Sequence, residues 1–119
     1  GVLDNTVDAM VGLGAARDNI VAVIGPSISQ RAYEVGPEFA ERFIDEDPLS
    51  ARYFAQGKDG RMQFDLPAFG LGRLRASGIK DAAWTRHCTY SDPARFYSYR
   101  RTVHEKQADY GRLIAAIRL

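Results

Sequence analysis

The sequence predicts a mixed α+β domain, on three observations. Short β-branched runs bounded by glycine, proline or aspartate read as strands. Stretches with apolar residues three and four apart read as amphipathic helices. The two kinds interleave along the chain rather than falling into separate blocks. At 119 residues the chain has the length of one domain, residues 1–119, with no internal repeat, linker or low-complexity tract.

Leu3, Val7, Met10 and Val11 fall on one face of a first helix, which Gly12 and Gly14 stop. The chain opens inside this helix without an initiator methionine or a leading cap, so Gly1 is expected not to be a natural start. Residues 19–24, Asn-Ile-Val-Ala-Val-Ile, read as a buried strand that runs into a loop, Gly25-Pro26-Ser27-Ile28-Ser29-Gln30. Tyr33-Glu34-Val35 is a short second strand. Pro37 then sits at the tolerated first position of a helix whose apolar face is Phe39, Phe43 and Ile44.

Asp45-Glu46-Asp47-Pro48 ends that helix as a solvated acidic stretch, and residues 49–54 read as a short helix. Residues 56–60 form a turn, and residues 62–66 alternate as a strand does. A helix begins at Asp65 or Pro67, with Leu71 and Leu74 inward, and Gly78 closes it. Residues 79–84 lead into a strand that buries Trp84 and continues towards Cys88. Asp92-Pro93 caps one helical turn through Phe96, residues 102–109 read as a loop, and residues 110–119 close the chain as a strand with Leu113, Ala115 and Ile117 on one side.

Composition narrows the function classes. Hydrophobic content of 45% and charged content of 26% suit a soluble globular chain rather than a disordered one. No apolar run approaches the roughly 20 residues that cross a bilayer, so a cytoplasmic protein with no membrane partner is expected. The formal net charge is +1, but it is uneven: residues 1–60 carry −5, residues 61–85 carry +2 and residues 86–119 carry +4. Positive charge therefore gathers where the aromatic residues Tyr90, Phe96, Tyr97, Tyr99 and Tyr110 cluster, a setting that attracts something flat, anionic or both. A lone cysteine, Cys88, excludes an internal disulfide, and with His87 and His104 alone beside it the chain has too few soft ligands for a metal site of its own. Cys88 is read as a packing residue.

The candidate chemistry is spread thinly. The loop from Gly25 to Gln30 offers hydroxyls and an amide to an oxyanion but lacks the lysine and spacing of a phosphate-binding P-loop, so a plain turn competes with that reading. Ser98 with His87 and an aspartate can be drawn as a hydrolase triad, but no nucleophile-elbow sequence surrounds it. Arg100 and Arg101, flanked by Tyr97 and Tyr99, suit bidentate contact with a phosphate or carboxylate while a ring packs a base or sugar; a solvated strand end with Arg stacked on Tyr is the alternative.

As an ordered set, the blocks at 19–30, Tyr33-Glu-Val-Gly, Phe64-Asp-Leu-Pro, Cys88-Thr-Tyr, Phe96-Tyr-Ser-Tyr-Arg-Arg and Tyr110-Gly-Arg resemble the laccase-domain family, known variously as polyphenol oxidase, purine nucleoside phosphorylase and peptidoglycan editing factor of the YfiH type. The resemblance covers essentially the whole chain. It implies a layered α/β/β/α mixed-sheet domain, of which this chain resembles the C-terminal half. It also implies a zinc or copper site of two histidines and one cysteine, carried on His-Gly, Ala-Asp-Cys and His-Ala-Gly-Trp-Arg segments that this chain does not contain. Those ligands are expected upstream of Gly1, and neither His87, His104 nor Cys88 matches one. No catalytic residue is assigned to this chain.

The residues that carry over are substrate-site walls: Ser27 and Gln30 in the first loop, and Ser98, Arg100 and Arg101 in the second segment. Some relatives hold cysteine at the place of Ser27, and others at those of Arg31 and Ala32, which leaves the loop without an implied redox role. The implied activity is metal-dependent phosphorolysis of purine nucleosides, with adenosine deamination as a side activity and this half alone inactive. The implied partners are a purine nucleoside, phosphate, the N-terminal half of the same domain and a second copy in a homodimer. The alternatives are a cytoplasmic hydrolase that edits cell-wall muropeptide precursors and, from another class, a non-catalytic module for anions or nucleic acid. The last is weakened by a tail charge of only +4 and the lack of an RNA-binding signature.

Overall fold

A computed structural model describes residues 1–117. Along the chain run α1 (Val2–Gly12), β1 (Val21–Ile24), β2 (Glu34–Val35), α2 (Pro37–Glu46), β3 (Phe54–Gln56), β4 (Met62–Phe64), α3 (Leu66–Ala76), β5 (Asp81–Trp84) and α4 (Tyr99–His104), with 3-10 turns at Arg17–Asn19, Gln30–Ala32 and Pro48–Tyr53. The fold is mixed α+β.

Two bodies share helix α3. In the first, β1 and β5 pair in parallel, with Val21 opposite Asp81 and Ile24 opposite Trp84. Helices α1 and α3 cover one face of this pair, where Val7, Ile20, Leu74 and Ile79 form the buried core and Leu3, Val11, Ala22, Ile24 and Ala82 pack around it. On the other face Val21 and Val23 remain 64% and 58% exposed. In the second body β4 lies between β2 and β3 in an antiparallel sheet, with Glu34 opposite Gln63 and Phe54 opposite Phe64. Phe64, 1% exposed, is its centre. Its ring meets those of Phe54 at 4.8 Å, Phe43 at 5.1 Å, Phe39 at 5.3 Å, Tyr33 at 5.7 Å and Phe69 at 5.8 Å.

Helix α3 joins the two because its faces differ. Asp65 accepts a hydrogen bond from the Ala68 N–H at 3.0 Å and so caps its first turn. Phe69 reaches into the aromatic cluster, while Gly70 lies so close to β1 that a Cβ there would sit 2.8 Å from Ile24 Cδ1. Leu74, one turn on, enters the aliphatic core.

Several elements differ from the sequence expectation. Residues 19–24 were expected to form a buried strand, but only Val21–Ile24 are strand and α1 and α3 cover one face, leaving Val21 and Val23 exposed. Residues 49–54 divide into the 3-10 turn Pro48–Tyr53 and strand β3, because Phe54 is drawn into the Phe64 cluster. Strand β5 stops at Trp84, which is half-buried, not buried; its indole N–H has no partner among the described residues. Asp92 accepts from Arg95 Nε at 2.6 Å rather than from a backbone cap, although the Phe96 N–H to Asp92 carbonyl bond of 3.0 Å closes the expected turn. The expected loop at 102–109 begins inside α4, whose first turn is capped by Ser98. No strand forms over residues 110–117, and the rest of that expected strand lies outside the described residues.

Two substitutions test this packing. Phe64→Ala is expected to destabilise the chain by about 4 kcal/mol in urea unfolding, the usual cost of emptying a buried aromatic position. Asp4 accepts from Ser77 Oγ at 2.9 Å and from Arg73, tying α1 to the end of α3. The Ser77 hydroxyl, then Arg73, hold its carboxyl below the usual carboxylate range. A carboxyl lowered on folding stabilises the fold above its unfolded pKa, and that contribution is lost as pH falls through the folded value. Asp4→Asn is therefore expected to cost at most about 1 kcal/mol at pH 7, since the pair is at the surface, with the difference from wild type narrowing below pH ~4.

Candidate functional site: the loops after the parallel strands

The loops that follow β1 and β5 leave the same end of the parallel pair, the end at which open α/β sheets hold ligands. They are fastened to each other by backbone. The Ser27 N–H donates to the His87 carbonyl at 3.0 Å and the Thr89 N–H to the Ser27 carbonyl at 3.1 Å, an isolated parallel bridge between Ser27 and Cys88. Between β5 and this bridge Arg86 takes φ 63°, in the left-handed region, and turns the chain.

Cys88 is held in that bridge as a polar group, not as apolar filler. Its Sγ accepts from the Ser29 N–H at 3.4 Å, from Ser29 Oγ at 3.2 Å and from Ser91 Oγ at 3.4 Å. Partial burial pushes the thiol pKa up, but the donors on Ser29 and Ser91 outweigh it and bring the value from 9.0 down to about 7.

The five substrate-site candidates hold different positions. Ser27 uses its backbone in the bridge, and no hydrogen bond of its hydroxyl occurs among the described residues. Gln30 Nε2 donates to the Tyr53 carbonyl at 3.5 Å and the Gln63 carbonyl at 3.3 Å, anchoring the first loop on the antiparallel sheet. Ser98, 8% exposed, accepts from the Arg101 N–H at 3.3 Å as the cap of α4. Arg101 spends its guanidinium on three carbonyls, those of Thr89 at 2.7 Å, Tyr90 at 2.9 Å and Phe96 at 2.6 Å, and so fixes the second loop. Arg100 turns the other way. Its Nη1 donates to the Glu34 carbonyl at 2.7 Å, and the guanidinium lies over the Tyr33 ring at 5.1 Å from the centroid.

Arg100 thereby lines a cleft of about 400 Å³ between α4 and the β2–α2 corner, with Arg42, Arg61, Phe39, Val103 and His104. Sequence reasoning missed Arg42 and Arg61, because their meeting with Arg100 depends on α4 lying along the edge of β2. It also missed the donors to Cys88: Ser91, three residues on, was within reach of a local pattern, but Ser29 lies 59 residues away.

The residues present do not fit a zinc or copper centre. His104 Nδ1 is engaged with Tyr90 Oη at 2.7 Å, the His87 ring lies 5.9 Å from that of Phe96, and no group of three His, Cys, Asp or Glu side chains that could hold a metal ion occurs among the described residues.

Thiolate chemistry gives a direct check of the loop geometry. With a pKa of about 7, roughly half of Cys88 is thiolate at neutral pH, against a few per cent for an ordinary thiol. Its iodoacetamide alkylation rate is expected to rise with a midpoint near that value. Ser29→Ala, which removes one donor, is expected to move the midpoint upward; an unshifted profile in the variant would contradict the arrangement.

Comparison with known proteins agrees with this architecture. Over 117 residues the chain is 35% identical to a purine nucleoside phosphorylase of Rickettsia prowazekii, covering 98% of this chain and 48% of that one. It is 38% identical to a purine nucleoside phosphorylase of Pseudomonas aeruginosa over 86% of this chain and 41% of that one. The crystal structure of the Bacillus licheniformis YfiH protein superposes with a TM-score of 0.74 at 27% identity, over 84% of this chain and 39% of that one. A Neisseria meningitidis protein superposes with a TM-score of 0.71 at 28% identity, over 83% and 42%. The chain thus spans less than half the length of these relatives. The model of the multi-copper polyphenol oxidoreductase laccase family matches residues 1–119, and the chain belongs to that family.

Proposed function

We propose that this chain is the C-terminal half of a purine nucleoside phosphorylase and supplies walls of its substrate site. In that reaction phosphate attacks C1′ of the nucleoside, the new C1′–O bond forms as the N-glycosidic bond breaks, and the purine leaves with a proton. The carrying observation is similarity along 98% of the chain to a relative bearing that name. Physical support comes from Arg100: a guanidinium locked by a carbonyl and a ring keeps its remaining N–H groups for an anion at little further entropic cost. Arg101 and Ser98 hold the second loop and the start of α4, Gln30 anchors the first loop, and Ser27 keeps a hydroxyl for ligand contact on that loop, apart from the Arg100 cleft.

The N-terminal half covers the open face at Val21 and Val23 and supplies the zinc or copper ligands. A metal there would polarise the substrate or activate its attacking group; adenosine deamination is the expected side activity. The whole protein is read as a cytoplasmic enzyme and a homodimer.

The assay is purine release from inosine plus phosphate by the full-length protein that contains this sequence. Turnover is expected, and Arg100→Gln is expected to lower kcat/KM at least about tenfold. The 119-residue chain alone is expected to show no turnover and no stoichiometric zinc or copper by elemental analysis. Tight one-to-one metal on the isolated chain would overturn the assignment of the ligands upstream, and turnover of a muropeptide precursor in place of inosine would overturn the substrate.

A further inference from the structure

The cleft beside Arg100 has more positive charge than its own carboxylates answer. It is walled by β2, by the first turns of α2, by Arg61 ahead of β4 and by one side of α4. Of its three guanidiniums, that of Arg61 is matched by Glu34 at 3.6 Å. Arg100 is bonded only to a neutral carbonyl and stacked on Tyr33. Arg42 makes no ion pair or hydrogen bond among the described residues. The second carboxylate, on Glu38, folds back over Gly36, where an added Cβ would lie 2.3 Å from its Oε1, and forms no ion pair with a neighbouring arginine among the described residues. Val35, Phe39 and Val103 give the same cleft apolar wall beside the cations.

Two guanidiniums without a counter-ion, one of them pre-positioned, next to apolar wall, suit an oxyanion carried on a flat or apolar body. A bare anion would satisfy the charges but leave the wall wet. We propose that this cleft binds a small organic phosphate monoester, with Arg100 and Arg42 on the phosphate and the body against Val35, Phe39 and Val103. Arg61 then acts as a positioning residue, since Glu34 occupies it. The proposal shares Arg100 with the phosphorylase reading but rests on the lining of the cleft, and it assigns Arg42 and Arg61 roles that the family match does not.

Phenyl phosphate is the probe, titrated into the full-length protein that contains this sequence and followed by calorimetry, with inorganic phosphate as the comparison. Saturable one-to-one binding of phenyl phosphate is expected, about fivefold tighter than inorganic phosphate, the increment for burying roughly 40 Å² of ring. Arg42→Gln is expected to weaken it about tenfold. That side chain is exposed and unpaired among the described residues, so its loss leaves the fold intact. Arg100→Gln is expected to weaken it by at least as much, with far-UV circular dichroism confirming the fold, while Arg75→Gln, on the outer side of α3, leaves it unchanged. Absence of saturable binding, equal affinity for inorganic phosphate, or unaltered affinity in Arg42→Gln would each overturn the proposal. Failure here would withdraw the anion role of Arg100 but not inosine phosphorolysis, which turnover measures separately, and failure of inosine phosphorolysis leaves the cleft's binding standing.

Discussion

The rest of the structure depends on helix α3 packing on two sides at once. Phe69 commits one side to the ring cluster around Phe64, while Gly70 and Leu74 commit the other to β1 and the aliphatic core. Both sheets are small: one has two strands, too few to hold without packing against a helix, and the other has three very short ones. A helix shared by both makes their cores mutually supporting. The absence of a side chain at position 70 permits this. A methyl group there would lie 2.8 Å from Ile24 Cδ1, so the tip of that side chain would have to turn aside for the helix and β1 to stay in contact.

That constraint reaches the candidate site through the strands it positions. The loop after β1 is held at three points: by the backbone bridge to Cys88, by the serine contacts to the thiol, and by Gln30 on the carbonyls of Tyr53 and Gln63. The loop after β5 is held by that bridge and by the three bonds from Arg101. Arg101 therefore serves as a positive charge saturated by backbone carbonyls, whereas its neighbour Arg100 is only partly used. Adjacent arginines on one helix take different roles because successive helical positions point about 100° apart: one faces the chain's own loop, the other faces the edge of β2.

The legible parts of the fold were those encoded locally. The stripe Leu3, Val7 and Val11 marks α1, Pro37 at the first position marks α2, and Asp65 capping Ala68 marks α3, because caps and periodicity act within a turn or two. The parts that were not legible depend on partners far along the chain. Residues 99–104 form a helix because Ser98 caps it and Arg101 bonds backward, which their polar composition hides. Phe54 becomes a strand residue because Phe64 draws it in, and Cys88 becomes a polarised thiol because Ser29 reaches it from a different loop. The family blocks were recognisable as an ordered set, yet which arginine keeps its donors could be read only from α4 against β2.

The open face of the parallel pair links stability to the site. Parallel strands are ordinarily covered on both faces, because their connections place elements there and neither face is built for water. Here Val21 and Val23 face outward at 64% and 58% exposure. The radius of gyration is 16.0 Å, against roughly 13.5 Å for a compact chain of this length. The chain is a slab of 47 × 35 × 21 Å, and one face of its parallel pair is uncovered among the described residues. Whatever covers the slab bears on β1 and β5, and those two strands aim the loops that carry Ser27, Cys88 and Arg86. A cover on that face and the candidate-site loops therefore meet at the same two strands, so the packing of one bears on the geometry of the other.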